Sequence, residues 1–177
     1  MAGTALIVID MLNPYDHEDA DELAANVEGI VEPLAGLIAK AQESDVELVY
    51  VNDNYGDFAA TGRDVIERAL AGRHPELVEP LVPPKGCPFL QKVRHSAFYS
   101  TTLEYLLQQR GVEEVVLAGQ VTEQCILYSA LDAYVRHLSV SVPHDAVAPI
   151  DRELGDAAIA MMRRNMRAET PATSAVT

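Results

Sequence analysis

Cys125 is the side chain of this sequence best placed to form a covalent bond. It follows the apolar run Val115-Val116-Leu117-Ala118 and the segment Gly119-Gln120-Val121-Thr122-Glu123-Gln124, where a buried strand turns into a helix. The positive end of a helix favours a thiolate in its first turn. The unpaired N–H groups of that turn point the same way. A cysteine in an apolar segment is also ordinary core filler, so partners must decide. Two are available. Asp10 closes the run Ala5-Leu6-Ile7-Val8-Ile9, and Lys92 closes Phe89-Leu90-Gln91. A carboxylate can take the thiol proton and return it to a leaving amine, while an ammonium holds the anionic charge of the pair. Main-chain N–H groups near Thr122 and Cys125 stand where an oxyanion would form. Together these groups suit acyl transfer to sulfur, followed by hydrolysis of the thioester.

The elements that must position them follow from hydrophobic period. Residues 4–9, 46–52, 89–92, 115–119 and 138–142 read as strands, several of them apolar on both faces as in a covered parallel sheet. Between them, residues 23–41 show apolar positions at three-and-four spacing, with Pro33 as the expected bend. Residues 63–71, 101–110, 126–135 and 151–167 read as further helices, and 75–88 as proline-broken irregular chain. This alternation predicts an α/β fold: three layers, α/β/α, around a mostly parallel, Rossmann-like sheet of five to six strands. One domain is expected over residues 1–168, with 169–177 as a disordered tail. In such a sheet the carboxyl ends of the strands share a rim, which brings Asp10, Lys92 and the Gly119–Cys125 turn to one crevice.

Composition narrows the setting. Thirteen basic against 27 acidic residues give a formal charge of −14, which argues against a phosphate-tracking surface and hence against nucleic acid. No run approaches the roughly 20 apolar residues of a membrane span, and the N-terminus lacks a signal-peptide pattern. Only two cysteines, Cys87 and Cys125, are present, so a reducing, cytoplasmic setting is expected instead of a disulfide scaffold. Neither cysteine has the histidine spacing of a zinc site. Cys87, between Gly86 and Pro88, is read as non-catalytic.

Three segments resemble the isochorismatase-like cysteine hydrolases, the superfamily of nicotinamidase, N-carbamoylsarcosine amidohydrolase and isochorismatase. They are Ala5-Leu6-Ile7-Val8-Ile9-Asp10-Met11, Lys92-Val93-Arg94-His95-Ser96-Ala97-Phe98 and Gly119-Gln120-Val121-Thr122-Glu123-Gln124-Cys125. The resemblance runs from about residue 5 to 148. It implies Asp10, Lys92 and Cys125 as a catalytic triad. It also implies a non-proline cis peptide between Val121 and Thr122, with the Thr122 and Cys125 amides as oxyanion hole, and a homo-oligomer, dimer or larger. The chain departs from the family at Leu12-Asn13-Pro14-Tyr15, which alters the first pocket wall. It departs again at Asp53-Asn54-Tyr55-Gly56-Asp57, where nicotinamidases carry metal-binding histidines; no metal and no cofactor are therefore expected.

The expected substrate is a small molecule, with Tyr15, Tyr55, Phe58 and His95 as candidate pocket residues. Arg94 is an anchor for a substrate carboxylate or the partner of an acidic neighbour, and His144-Asp145 is expected to cap a turn. Retention of Cys125 favours cleavage of an amide or ureido C–N bond. The alternative within the fold is an isochorismatase-type vinyl ether hydrolase using Asp10 without the thiol. A remote one is a phospho-receiver-like signalling module built on Asp10 and Asp53, although the first strand lacks an acidic pair.

Overall fold

Residues Ala5 to Ile9 are almost wholly shielded from solvent, because alternate side chains enter two separate cores. Leu6 and Val8 pack into one core and Ala5, Ile7 and Ile9 into the other. Both faces of the sheet are thus covered, as a parallel arrangement requires. The computed structural model describes residues 3–176; Met1, Ala2 and Thr177, the last residue of the expected tail, lie outside the described residues.

The strands are β1 (Gly3–Ile9), β2 (Glu47–Asp53), β3 (Phe89–Lys92), β4 (Val112–Gln120), β5 (Ser139–Ser141) and β6 (Val147–Ala148). They form one parallel sheet in the order β3-β2-β1-β4-β5, with β6 paired to the end of β4. The α/β fold expected from the alternation is present. The two-residue β6 was not foreseen, being too short to show a period.

Helices α1 (Ala20–Val27) and α2 (Val31–Gln42), with α3 (Gly62–Leu70) and α4 (Pro75–Val78), cover one face. On the other face lie α5 (Leu103–Gln109), α6 (Leu127–Val135) and α7 (Arg152–Met166). The amphipathic stretch read as one helix bent at Pro33 is therefore two. The break falls at residues 28–30, which leaves Pro33 in the first turn of α2, where its missing N–H has no intrahelical acceptor to lose. The proline-rich stretch expected to be irregular forms α4 and a 3₁₀ turn, Glu79–Leu81, with prolines again in first turns. No helix of the described residues is long and apolar enough to cross a membrane.

The expected disordered tail is instead laid along β5. Glu169 N–H donates to Val140 O at 2.9 Å, and Val142 N–H donates to Glu169 O at 2.7 Å. Asp145, expected to cap a turn, accepts from the Thr173 N–H and hydroxyl at 2.8 and 3.0 Å and so fastens this segment. Small residues lacking a periodic signal are ordered here by main-chain pairing and by the Asp145 carboxylate.

The chain runs β1 to β2 to β3 toward one edge, then returns to β4 beside β1. The strand order reverses between β1 and β4, and a crevice opens beyond their carboxyl ends. Register aligns the rim: Ile9 is level with Val51 and Gly119, and Asp53 with Lys92. β1 and β4 approach closely at this end. Gly119 has φ +120°, and a Cβ there would overlap the Ile9 carbonyl oxygen. Gly119→Ala is expected to lower the unfolding free energy by about 3 kcal/mol or more. Gly36→Ala, in α2 where an added Cβ meets nothing within 4 Å, is expected to be neutral or stabilising. Urea unfolding of the two variants checks the contrast.

Candidate active site

Lys92, the last residue of β3, carries its ammonium into an almost fully buried position. Its Nζ lies 2.8 Å from Asp10 Oδ2, 3.5 Å from Cys125 Sγ and 3.8 Å from Asp53 Oδ2. The structure thus brings together the three residues singled out in the sequence, from the ends of β1 and β3 and the turn after β4.

Asp10 is held on all sides. It follows β1 in a left-handed conformation, φ +56°, which costs a non-glycine residue about 1–2 kcal/mol. Its own N–H donates to Val51 O at 3.0 Å, and its Oδ1 accepts from Asp53 N–H at 2.8 Å. Burial raises the Asp10 pKa above the ordinary carboxylate value, against the opposing pull of Lys92 and of its hydrogen bonds. Burial also pushes the Cys125 thiol up, to about 12, reinforced by the Asp10 charge and opposed by Lys92. For Lys92 itself burial acts downward, but Asp10, Cys125 and Asp53 outweigh it and the ammonium is held above its usual value. The lysine is charged and the resting sulfur is a thiol.

After β4 the chain enters a five-residue π-helical turn, Thr122–Ile126, leading into α6. The Val121 carbonyl accepts from the Gln124 and Ile126 amides, both at 3.1 Å, and not from the Cys125 amide between them. An ordinary α-turn would have used that amide. The non-proline cis peptide lies between Gln120 and Val121, one bond earlier than expected at Val121–Thr122. Thr122 already belongs to the helical turn, so the reversal is completed before it. The Val121 main chain lies near the Cys125 sulfur and favours its ionised form, a smaller influence than burial or the Asp10 and Lys92 charges. Thr122 is buried, and its hydroxyl has no partner among the described residues.

A cavity of about 370 Å³ opens above the cluster, lined by Asp10, Asp53, Lys92, Val121 and Cys125, by the half-buried Tyr55 and Gln124, and by the exposed His17, Arg94 and His95. Of the four aromatic candidates, Tyr55 and His95 line it. Tyr15 does not: it is wholly buried behind the wall, its hydroxyl 3.4 Å from Gln120 Oε1. Phe58 does not either, being 81% exposed on the loop beyond Tyr55. An aromatic in a strand-end loop can face inward or outward, and spacing does not distinguish the two. Cys87 is distant from the cluster, hydrogen-bonded to Leu48 O, its thiol pushed to about 11 by burial.

Asp53 and Gln120 belong to the site and were not singled out for it. Both end strands, β2 and β4, so the rule that placed Asp10 and Lys92 at the rim applied to them equally. Among the described residues no group of three or more His, Cys, Asp or Glu side chains is placed to hold a metal ion. His74 packs edge-on against Tyr15.

The buried pair sets a pH dependence of stability. Lys92→Met removes the one influence of opposite charge that restrains Asp10, so the carboxyl moves further above its unfolded value near 3.8. The folded state then binds a proton that the unfolded state has released, and stability falls as pH rises through that window. Lys92→Met is expected to cost about 3–5 kcal/mol at neutral pH and progressively less toward pH 4. Urea midpoints measured across this range check the sign.

The isochorismatase domain matches residues 4–175. The isochorismatase family protein YaaI of Bacillus subtilis is 31% identical over 168 residues, spanning 95% of this chain and 93% of its own. Maleamate amidohydrolase of Pseudomonas putida is 34% identical, over 86% of this chain and 81% of its own. Among solved structures, N-carbamoylsarcosine amidase from Thermoplasma acidophilum superposes with a TM-score of 0.75 at 29% identity, over 98% of each chain. With sequence and fold shared nearly end to end, the chain belongs to the isochorismatase family of hydrolases.

Proposed function

We propose that this protein hydrolyses a C–N bond, amide or ureido, in a small carboxylate-bearing molecule through a thioester on Cys125. The observation that carries the reading is the Lys92 ammonium, 2.8 Å from Asp10 and 3.5 Å from the Cys125 sulfur. With the thiol pKa near 12, a free thiolate is scarce at neutral pH. Proton transfer must therefore accompany attack. Asp10 accepts the thiol proton as sulfur bonds to the carbonyl carbon, while Lys92 remains charged beside both. The carbonyl electrons move to oxygen, stabilised by the Val121 and Cys125 amides, a pair that replaces the expected Thr122 and Cys125. Collapse of the adduct expels nitrogen, which takes the proton from Asp10. Water then gives a proton to Asp10 and adds to the thioester. A second collapse releases the acid, and sulfur recovers the proton.

Relatives named for maleamate and ureidoacrylate hydrolysis support a small amide or ureido acid. Arg94 is exposed at the cavity mouth and has no carboxylate within ion-pair distance among the described residues. In a chain of charge −14, an unpaired arginine over the site suits a substrate carboxylate. The expected homo-oligomer has support in α6, where Tyr128, Leu131 and Val135 leave an apolar side exposed. The two cysteines are free thiols, in keeping with a cytoplasmic setting.

Assays on a panel of amide and ureido acids test the reading. Cys125→Ala and Asp10→Asn are each expected to lose at least about a thousandfold in kcat/KM. Turnover of a vinyl ether such as isochorismate surviving in Cys125→Ala would favour the ether hydrolase instead. Arg94→Met is expected to raise KM about tenfold or more with kcat nearly unchanged. Because Asp10 must be ionised to accept a proton and its pKa is raised, the acid limb of kcat/KM is expected above the ordinary carboxylate range, as a pH–rate profile would show.

A further inference from the structure

We propose that Gln120 is a positioning residue that locks the base to the oxyanion-binding turn; the inference rests on the amidase reading above. The Gln120 side chain is buried at the end of β4, and its Nε2 donates to the Asp10 main-chain carbonyl at 2.6 Å. A carbonyl can only accept, so the amide nitrogen must face it. Oε1 is then turned to the Tyr15 hydroxyl at 3.4 Å. Tyr15 is itself immobilised, wholly buried and with its N–H bonded to Asn13 Oδ1 at 2.8 Å.

The position of this bond gives it its role. Asp10 sits past the end of β1 in a left-handed conformation, outside the ladder that holds residues 3–9. Its N–H is tied to Val51 O and its carboxylate to Asp53 N–H and Lys92, all toward β2 and β3, which leaves the peptide that follows, whose carbonyl is that of Asp10, free on the β4 side. The Gln120 bond closes that freedom from the opposite strand. Gln120 is also the residue immediately before Val121, which caps the turn that carries Cys125. One side chain therefore ties the group that moves the proton to the backbone that receives the oxyanion. A displacement of about 1 Å between such groups can cost about a hundredfold in rate. The effect falls on kcat, because Gln120 acts through Asp10 and the turn and not on the substrate.

Gln120→Leu removes both hydrogen bonds while keeping an apolar filler. Its kcat is expected to fall about a hundredfold with KM within about threefold of wild type. Gln120→Glu keeps the acceptor for Tyr15 and donates to Asp10 only while the introduced acid is protonated. Its kcat relative to wild type is expected to drop at least about tenfold as pH rises through ionisation of that acid. A merely structural role would give a ratio flat in pH. A readout independent of substrate is the iodoacetamide alkylation rate of Cys125, located by peptide mass. Gln120→Leu is expected to slow it severalfold, because Asp10 no longer accepts the thiol proton in line. Alkylation that depends on Gln120 in a protein inactive on every amide would support the positioning role and overturn the amidase reading. Active wild type, with Gln120→Leu within threefold in kcat and alkylation unchanged, would overturn the positioning role alone. Should Gln120→Leu fail to fold, the Gln120→Glu profile decides, and a flat ratio overturns the proposal.

Discussion

A buried ammonium is the constraint on which the rest of this structure depends. Lys92 has almost no solvent contact, and a lone cation in that position would be expelled or neutralised. It is kept charged by Asp10, with Cys125 and Asp53 contributing. With Lys92 itself, those groups come from four separate segments, so the charge can be satisfied only when β1, β2, β3 and the turn after β4 are all in register. The folded sheet and the assembled cluster are in that sense one condition. The same burial that makes the cation costly raises the carboxyl and thiol pKa values.

The geometry is obtained at the seam between β1 and β4, where the strand order reverses. Parallel neighbours there diverge beyond their ends, because the connections leave in opposite directions and nothing fills the space between. The seam is tight below the rim, where Gly119 lets the strands approach, and open above it, where the cavity begins. Asp10 stands at the transition. Its left-handed backbone, unfavourable for an aspartate, turns the carboxylate toward the cluster, and hydrogen bonds from three neighbouring elements hold it there. The π-turn does the corresponding work on the other strand by leaving the Cys125 amide out of the Val121 carbonyl's bonds.

Much of the fold was legible before any coordinates. The β1 and β3 runs, the helices over α3, α5, α6 and α7, and the parallel alternation all follow from period and flanking residues. What failed to show shares a cause. The break between α1 and α2 leaves the apolar spacing intact across it, so period does not mark it. Strand β6 has two residues, and residues 169–176 have no pattern; both are held by pairing partners far away in sequence. In the site, Asp10, Lys92 and Cys125 could be named because each ends or follows a recognisable run. Tyr15 and Phe58 could not be assigned a direction, since a loop aromatic has no alternation to orient it.

The sequence by itself determined the class of fold, the rim and the three residues that cluster there, because hydrophobic period and strand ends are local properties written in neighbouring residues. Tertiary structure alone decided which peptide is cis and that Asp53 and Gln120 join the cluster. These depend on how segments up to 110 positions apart meet, as Gln120 meets Asp10. No local pattern encodes a distance between two strand ends; only the packed sheet, with its register and its seam, sets it.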